Sequence, residues 1–318
     1  MASLPLTIGV SIGGSMPQGV PSARTLLAAA RHAERCGYDA LWCGDHVMMY
    51  SPIIEAVTLL SACAAVTERV RLGTAVYLLS LRHPVVVAKL FAGLDYVSSG
   101  RLIFGVGVGG EFAREFEACG VPIAERGSRT DEGLEIVRRL WSGTSVSFEG
   151  RHHRFRDVVL APPPVQRPAP PIWVGGRSEA ALRRTARFGD GWLAYMATPQ
   201  RIRDSMDRVR RHADGLGRDP AGIAAGLLLF VHVASTHEAA RRRIVDDLTV
   251  RYNQPFDPLV DRYCAFGTPA DCAAGIRGFV EAGVSTLVLK FTCTPAEQLD
   301  QQAAFAEMVL PLLRRREG

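Results

Sequence analysis

Short apolar runs alternate along the chain with longer stretches whose apolar residues return every three or four positions, so strand and helix signals follow one another in turn. The run LTIGV, within 4–10, precedes 22–36, where Leu26, Ala30 and Ala33 share one helical face. DALWC (39–43) precedes 55–67, and VRLGTAVYL (70–78) precedes 84–97, whose Pro84 suits a first helical turn because its missing N–H is not needed there. RLIFGVGVG (101–109) precedes a helix from about 130 to 141, with Leu134, Val137 and Trp141 on one side. PIWVGG (171–176) precedes 178–188, and DGWLAY (190–195) precedes 199–216, where Ile202, Met206, Val209, Ala213 and Leu216 step by four and three. IAAGLLLFVHVA (223–234) precedes a helix beginning near Thr236, and STLVLKF (285–291) precedes 295–314.

Eight such units, with near-continuous apolar strands and no internal linker, specify a parallel sheet covered by helices. Eight repeats suit the closed (β/α)8 TIM barrel, and 1–318 reads as one domain of that kind. The alternative is a doubly wound open sheet, which opens on a glycine turn before its first helix; Gly13-Gly14-Ser15 matches that turn only loosely. Two stretches exceed what the barrel needs. Residues 144–170 read as a hairpin, VSFEGRHHRF turning at Glu149-Gly150, with a stiff return through APPPVQRPAPP. Residues 235–265 form a second insertion, running into an irregular aromatic-bearing segment over about 251–270.

Composition narrows the function classes. With 47% hydrophobic and 22% charged residues in 318, this is a folded globular chain. Formal charge is 37 − 32 = +5 with no basic block beyond Arg314-Arg315-Arg316, so neither nucleic acid nor a membrane surface is indicated as a partner. Only Lys89 and Lys290 are lysines, and Arg carries nearly all the positive charge. No basic leader precedes a long apolar run, and no stretch resembles a membrane helix. Seven widely spaced cysteines without a CxxC or Cys/His pattern read as reduced thiols in a cytoplasmic protein with no metal site.

In a (β/α)8 barrel the chemistry sits just beyond the strand C-termini. His46 beside Asp45 could hold a proton near neutral pH, or the pair could cap the following helix. Gly175-Gly176 ahead of a helix would present N–H groups to a phosphate, with Arg177 as a charged donor and Ser178 as N-cap; the alternative is an ordinary tight turn. The glycines at 105–110 superficially match GxGxxG but lie deep in a strand. Their better reading is that absent side chains let a planar ring or its polar chain approach the backbone. Arg82-His83-Pro84 could add charge at the rim, with His83 as a helix-start residue, whereas His152-His153 read as surface residues. Tyr50, Tyr77, Tyr252 and Phe256 could line an apolar pocket or serve as packing.

The segments ERCGYDALWCGDHV (34–47), EAVTLLSACAAVTERVRLGTAV (55–76), RHPVVVAKLFAGLDYVSSGRLIFGVGVGGEFAREFEACGV (82–121) and PPIWVGGRSEAALRRTARFGDGW (170–192) resemble the luciferase-like monooxygenase superfamily, nearest to its branch that uses coenzyme F420. The likeness runs to about residue 220 and resumes over 266–291. It implies a barrel with a flavin-like ring across its mouth, Asp45 and His46 facing that ring, and His46 handling a proton. It also implies a cis peptide at Ala75-Val76 backing the ring, Gly107, Gly109 and Gly110 passing beneath it, and Gly175, Gly176, Arg177 and Ser178 around its phosphate. Some relatives carry a catalytic Glu where Gly110 stands here, which leaves the following Glu111 as the second acid/base candidate.

The resemblance, whose motifs occur in family order, implies an F420-dependent oxidoreductase that transfers a hydride between the deazaflavin and a small organic substrate. The rival within the superfamily is an FMN-dependent monooxygenase using reduced flavin and oxygen. Family members are often homodimers, and a flavin or F420 reductase would supply reduced cofactor. From other classes come a binding barrel without turnover and a phosphate-binding lyase or isomerase, for which Lys290 is the candidate lysine.

Overall fold

The computed structural model describes residues 6–13 and 19–314. Gly14, Ser15, Arg315 and Arg316 lie outside the described residues. The strands in chain order are β1 Thr7–Ser11, β2 Ala40–Cys43, β3 Arg71–Thr74, β4 Tyr77–Leu78, β5 Leu102–Gly107 and β6 Val146–Glu149. They continue as β7 Arg154–Val158, β8 Ile172–Gly175, β9 Gly191–Tyr195, β10 Ala224–Val233, β11 Cys264–Gly267 and β12 Val284–Phe291.

Parallel pairing passes from β1 through β2, β3, β5, β8, β9 and β10 to β12, and β12 pairs back onto β1. The ring closes with eight strands and helices outside it, which is the (β/α)8 barrel and excludes the open sheet. Its helices are held by apolar faces and local caps. Ala23–Arg35 buries Leu26, Ala29, Ala30 and Ala33, and the Ser22 side chain accepts from the Thr25 N–H. Full burial of one such leucine contributes about 1.5–3 kcal/mol.

Inside the ring, Ala40, Trp42, Ile103, Trp173, Leu193 and Val288 pack together, with the two indoles edge to face at 6.1 Å. A Cβ at Gly73 would lie 2.3 Å from Trp42, and one at Gly191 would lie 2.4 Å from Trp173, so glycines in the strands make room for the indoles. The interior is a packed plug, and the working surface is the mouth above it.

Four departures from the sequence reading have local causes. The run 70–78 is two strands, Arg71–Thr74 and Tyr77–Leu78, with a cis peptide at Ala75–Val76 between them. A short helix, Ala113–Ala118, intervenes before Arg126–Leu140. The helix after β10, His237–Tyr252, does not lead to β12. It leads to β11, which extends the sheet beside the last four residues of β10, and Pro269–Glu281 is the helix that returns to β12. That helix starts on a reciprocal cap between Thr268 and Asp271. Finally, the C-terminal helix is divided into Gln298–Met308 and Leu310–Arg314, with Pro311 in the second piece.

In the first insertion β6 and β7 form an antiparallel hairpin, and the buried Asp95 carboxylate accepts the Val165 and Gln166 N–H groups to fix the return. His152 is not a surface residue. Its side chain is 4% exposed, with Nε2 2.9 Å from the Ser128 hydroxyl, while His153 packs edge-on against His83.

Candidate active site

Strand alternation fixes what faces the mouth. Continuing the inward side from Trp173, Leu193 and Val288 brings Gly175, Tyr195 and Lys290 to the upper layer, joined by Val76, Gly107 and Phe230. The mouth therefore has two unequal halves. Over β3, β5 and β8 it is low and lined by glycine and Val76; over β9, β10 and β12 it is tall and lined by Tyr195, Phe230 and Lys290.

The low half is built around Val76. A Cβ at Gly107 would meet Val76 Cγ2 at 2.3 Å, and one at Gly175 would meet Val76 Cγ1 at 2.8 Å. Deeper in β5, Gly105 donates its N–H to Thr74 Oγ1 at 3.0 Å while that hydroxyl donates to the Gly105 carbonyl at 2.7 Å. These close approaches give Gly105, Gly107 and Gly175 a packing role of their own. The space beside them is filled by Val76 and Thr74, and the result is a flat floor whose raised point is the half-buried Val76.

Past β5, Gly109 and Gly110 take φ of +62° and +122°. The second value is one that side-chain-bearing residues rarely adopt, which accounts for glycine at position 110. Glu111 follows on an exposed turn, with no hydrogen bond to His46 among the described residues. The acid that meets His46 is Glu115, which the sequence reading missed. His46 Nδ1 lies 2.9 Å from Glu115 Oε1, and the Val47 N–H donates to Oε2 at 3.2 Å. Glu115 is fully buried on the helix Ala113–Ala118, while His46 keeps 16% of its side chain exposed. A carboxylate at Glu115 can only accept, so this contact favours the imidazole tautomer that carries its hydrogen on Nδ1 and turns Nε2 away from the acid.

Asp45 does not face the mouth with His46. Its carboxylate is fully buried and accepts from Arg82 NH1 at 2.6 Å, Arg82 NH2 at 2.8 Å and the Leu78 N–H at 3.0 Å. A two-pronged guanidinium contact uses both oxygens and leaves none for a ring above. Burial works against the Arg82 charge, but Asp45 outweighs it and holds the guanidinium pKa above its ordinary value. Asp45 therefore anchors the turn that carries His46. Of the candidate pocket aromatics, Tyr77 is core, packed on Phe91 and Phe104, and Phe256 is also buried; Tyr50 and Tyr252 are exposed. The Tyr195 and Tyr252 hydroxyls bond to each other beside Phe230.

At the end of β8, Gly176, Arg177 and Ser178 are exposed ahead of the helix Glu179–Phe188. Ser178 caps that helix by accepting the Ala181 N–H, and Gly176 takes a φ of +124°. First-turn amides, which a helix cannot pair internally, and the guanidinium of Arg177 give this rim the donor set of a phosphate site. Arg201 joins it by donating to the Arg177 carbonyl at 3.0 Å. The flat floor over β3, β5 and β8 and this anion-suited rim fit a flavin-like ring and its phosphate.

Comparison with known proteins points the same way. The family model for luciferase-like monooxygenases matches residues 6–286. An F420-dependent glucose-6-phosphate dehydrogenase of Kineococcus radiotolerans is 28% identical over 320 residues, covering 90% of this chain and 91% of the relative. The crystal structure of a monooxygenase, RslO1 from Streptomyces bottropensis, superposes with a TM-score of 0.81 at 27% identity, covering 96% of this chain and 99% of that one. An F420-dependent secondary alcohol dehydrogenase in complex with an F420-acetone adduct shares the fold, with a TM-score of 0.83 at 21% identity and coverage of 98% and 100%.

Proposed function

This chain belongs to the luciferase-like monooxygenase family, and from that membership we propose that it is an F420-dependent oxidoreductase acting on a small organic substrate, with His46 handling the proton. The observation that carries the reading is the His46–Glu115 pair, held just after β2, the strand that pairs with β3, which leads into Val76. Bound there, the deazaflavin would supply or accept hydride. Ala75, Val76, Gly107 and Gly175 would form the surface beneath its ring, and Gly176, Arg177 and Ser178 would hold its phosphate. Glu115 fixes the imidazole by accepting a hydrogen bond from Nδ1–H, which leaves Nε2 to accept a proton from the substrate or return one. Asp45, locked by Arg82, keeps the turn beneath His46 in place.

The 27% identity to a monooxygenase supports a second reading, FMN-dependent oxygenation on the same floor. Parallel fluorescence titrations with F420 and FMN decide between them. Tight binding of F420 with weak binding of FMN is expected; the reverse result overturns the F420 reading. We further propose a cytoplasmic homodimer supplied by a separate reductase, with exposed Val86, Leu90 and Val97 on the helix Pro84–Val97 as its apolar face.

A further inference from the structure

Lys290 takes no part in the reading above. Its side chain lies on the inward side of β12, one step beyond Val288, and lines a cleft of about 200 Å³ at the mouth. Ser11 and Gly13 wall this cleft at the end of β1, and Asp247 and Arg251 wall it from the helix His237–Tyr252. The other charges around it are matched or at the rim. Arg251 NH2 sits 3.0 Å from Asp247 Oδ2, Arg243 pairs with Glu297, and Asp246 is exposed.

Among the described residues Lys290 makes no hydrogen bond or ion pair. A partly buried ammonium offers three donors and is costly to leave unmatched. Burial, reinforced by Arg251 and opposed by Asp247 and the Cys43 thiol, lowers its pKa to about 7. An incoming anion would supply the absent counter-charge. His46 follows β2 and Lys290 is the penultimate residue of β12, on either side of β1, so two strand spacings of ~4.8 Å separate their positions around the ring.

We propose that this cleft is a substrate subsite for a small organic anion, with Lys290 pairing to its carboxylate or phosphate. The role of that anion as the reacting substrate rests on the oxidoreductase reading; its binding does not. Having only two lysines makes the test direct, since exposed Lys89 serves as an internal reference.

Limiting acetylation with an N-hydroxysuccinimide ester, read by peptide mass spectrometry, is run with and without acetate, succinate and inorganic phosphate. At anion concentrations a few times Kd, Lys290 labelling falls about fivefold while Lys89 labelling is unchanged. Protection by the carboxylates assigns a carboxylate substrate, and protection by phosphate alone assigns a phosphate ester. A Lys290 that takes no label, or labels equally under every condition, overturns the proposal. Equal protection by F420 alone also overturns it, because the cofactor's own anionic tail would then fill the cleft. Failure of F420 to bind in a separate fluorescence titration would instead sink the cofactor reading and leave the labelling result standing. In Lys290→Met, the thermal stabilisation that these anions give the wild type is expected to disappear.

Discussion

His46 and Glu115 are 69 residues apart in the chain, yet the imidazole Nδ1 and a carboxylate oxygen meet at 2.9 Å, one partner at the mouth and the other fully buried. The buried acid sets which imidazole nitrogen is available for chemistry. Replacing Glu115 by Gln keeps its size but offers Nδ1 an amide donor, favouring the other tautomer. Turnover is expected to fall roughly 10–100-fold, with a displaced pH–rate profile. His46→Ala should cost on the order of 10²–10⁴ in turnover while F420 affinity changes little. Unchanged turnover in His46→Ala would remove the imidazole from the mechanism, and an unmoved pH profile in Glu115→Gln would reduce the acid to packing.

Arg82→Met should destabilise the fold, because it strands the fully buried Asp45 carboxylate without its counter-ion. Loss of one partner of a buried pair costs about 3–5 kcal/mol. Urea denaturation measures this directly, and a loss below about 1 kcal/mol would show that the pair is dispensable. Arg82→Lys should recover only part of the loss, since an ammonium cannot occupy both carboxylate oxygens in the same fork geometry.

Gly107→Ala places a methyl group where Val76 Cγ2 already sits, at 2.3 Å. Overpacking of this kind typically costs about 1–3 kcal/mol. Adding Val76→Ala to the same chain should restore part of the loss, and a double-mutant cycle reads that coupling. Strict additivity would mean that the valine does not set the glycine requirement.

Arg177→Ala should weaken F420 binding about tenfold and flatten its dependence on salt, with little effect on the stability of the cofactor-free protein. Isothermal titration at two ionic strengths checks both. An affinity that keeps its full salt dependence would move the phosphate elsewhere.

Lys290 gives stability a pH dependence whose sign can be worked out. Its folded pKa of about 7 lies below the ordinary lysine value of 10.5, so between those limits the unfolded chain binds more protons than the native one. Native stability from this group therefore rises with pH across that window, by at most about 1.4 kcal/mol per unit. Thiols and phenols titrate there too, so the comparison is between wild type and Lys290→Met: the wild-type curve should gain relative to the variant from pH 7 to 10. Parallel curves would show that the lysine is not constrained by burial.

Much of the barrel was legible because its signals are local. Pro84–Val97 matches the sequence reading at both ends, and Ser22, Ser178 and Thr236 cap the helices that follow them. Four-residue β11 escaped because CAFG has no room to show a period, and Pro269–Glu281 was hidden by Gly275 and Gly278 within it. The site was harder to see. Asp45 and His46 were found by position, but their partners Arg82 and Glu115 sit 37 and 69 residues away. In the segment AREFEA nothing local separates Glu115, which turns inward, from Glu117, which is exposed. Only closure of the barrel distinguishes them.

The seating of Val76 between two bare backbones makes positions 76, 107 and 175 a single packing unit. Trimming the valine would relieve the constraint on both glycines, whereas keeping it makes a side chain at either one a packing clash. Efforts to widen the range of molecules this scaffold accepts should therefore begin by editing the trio together.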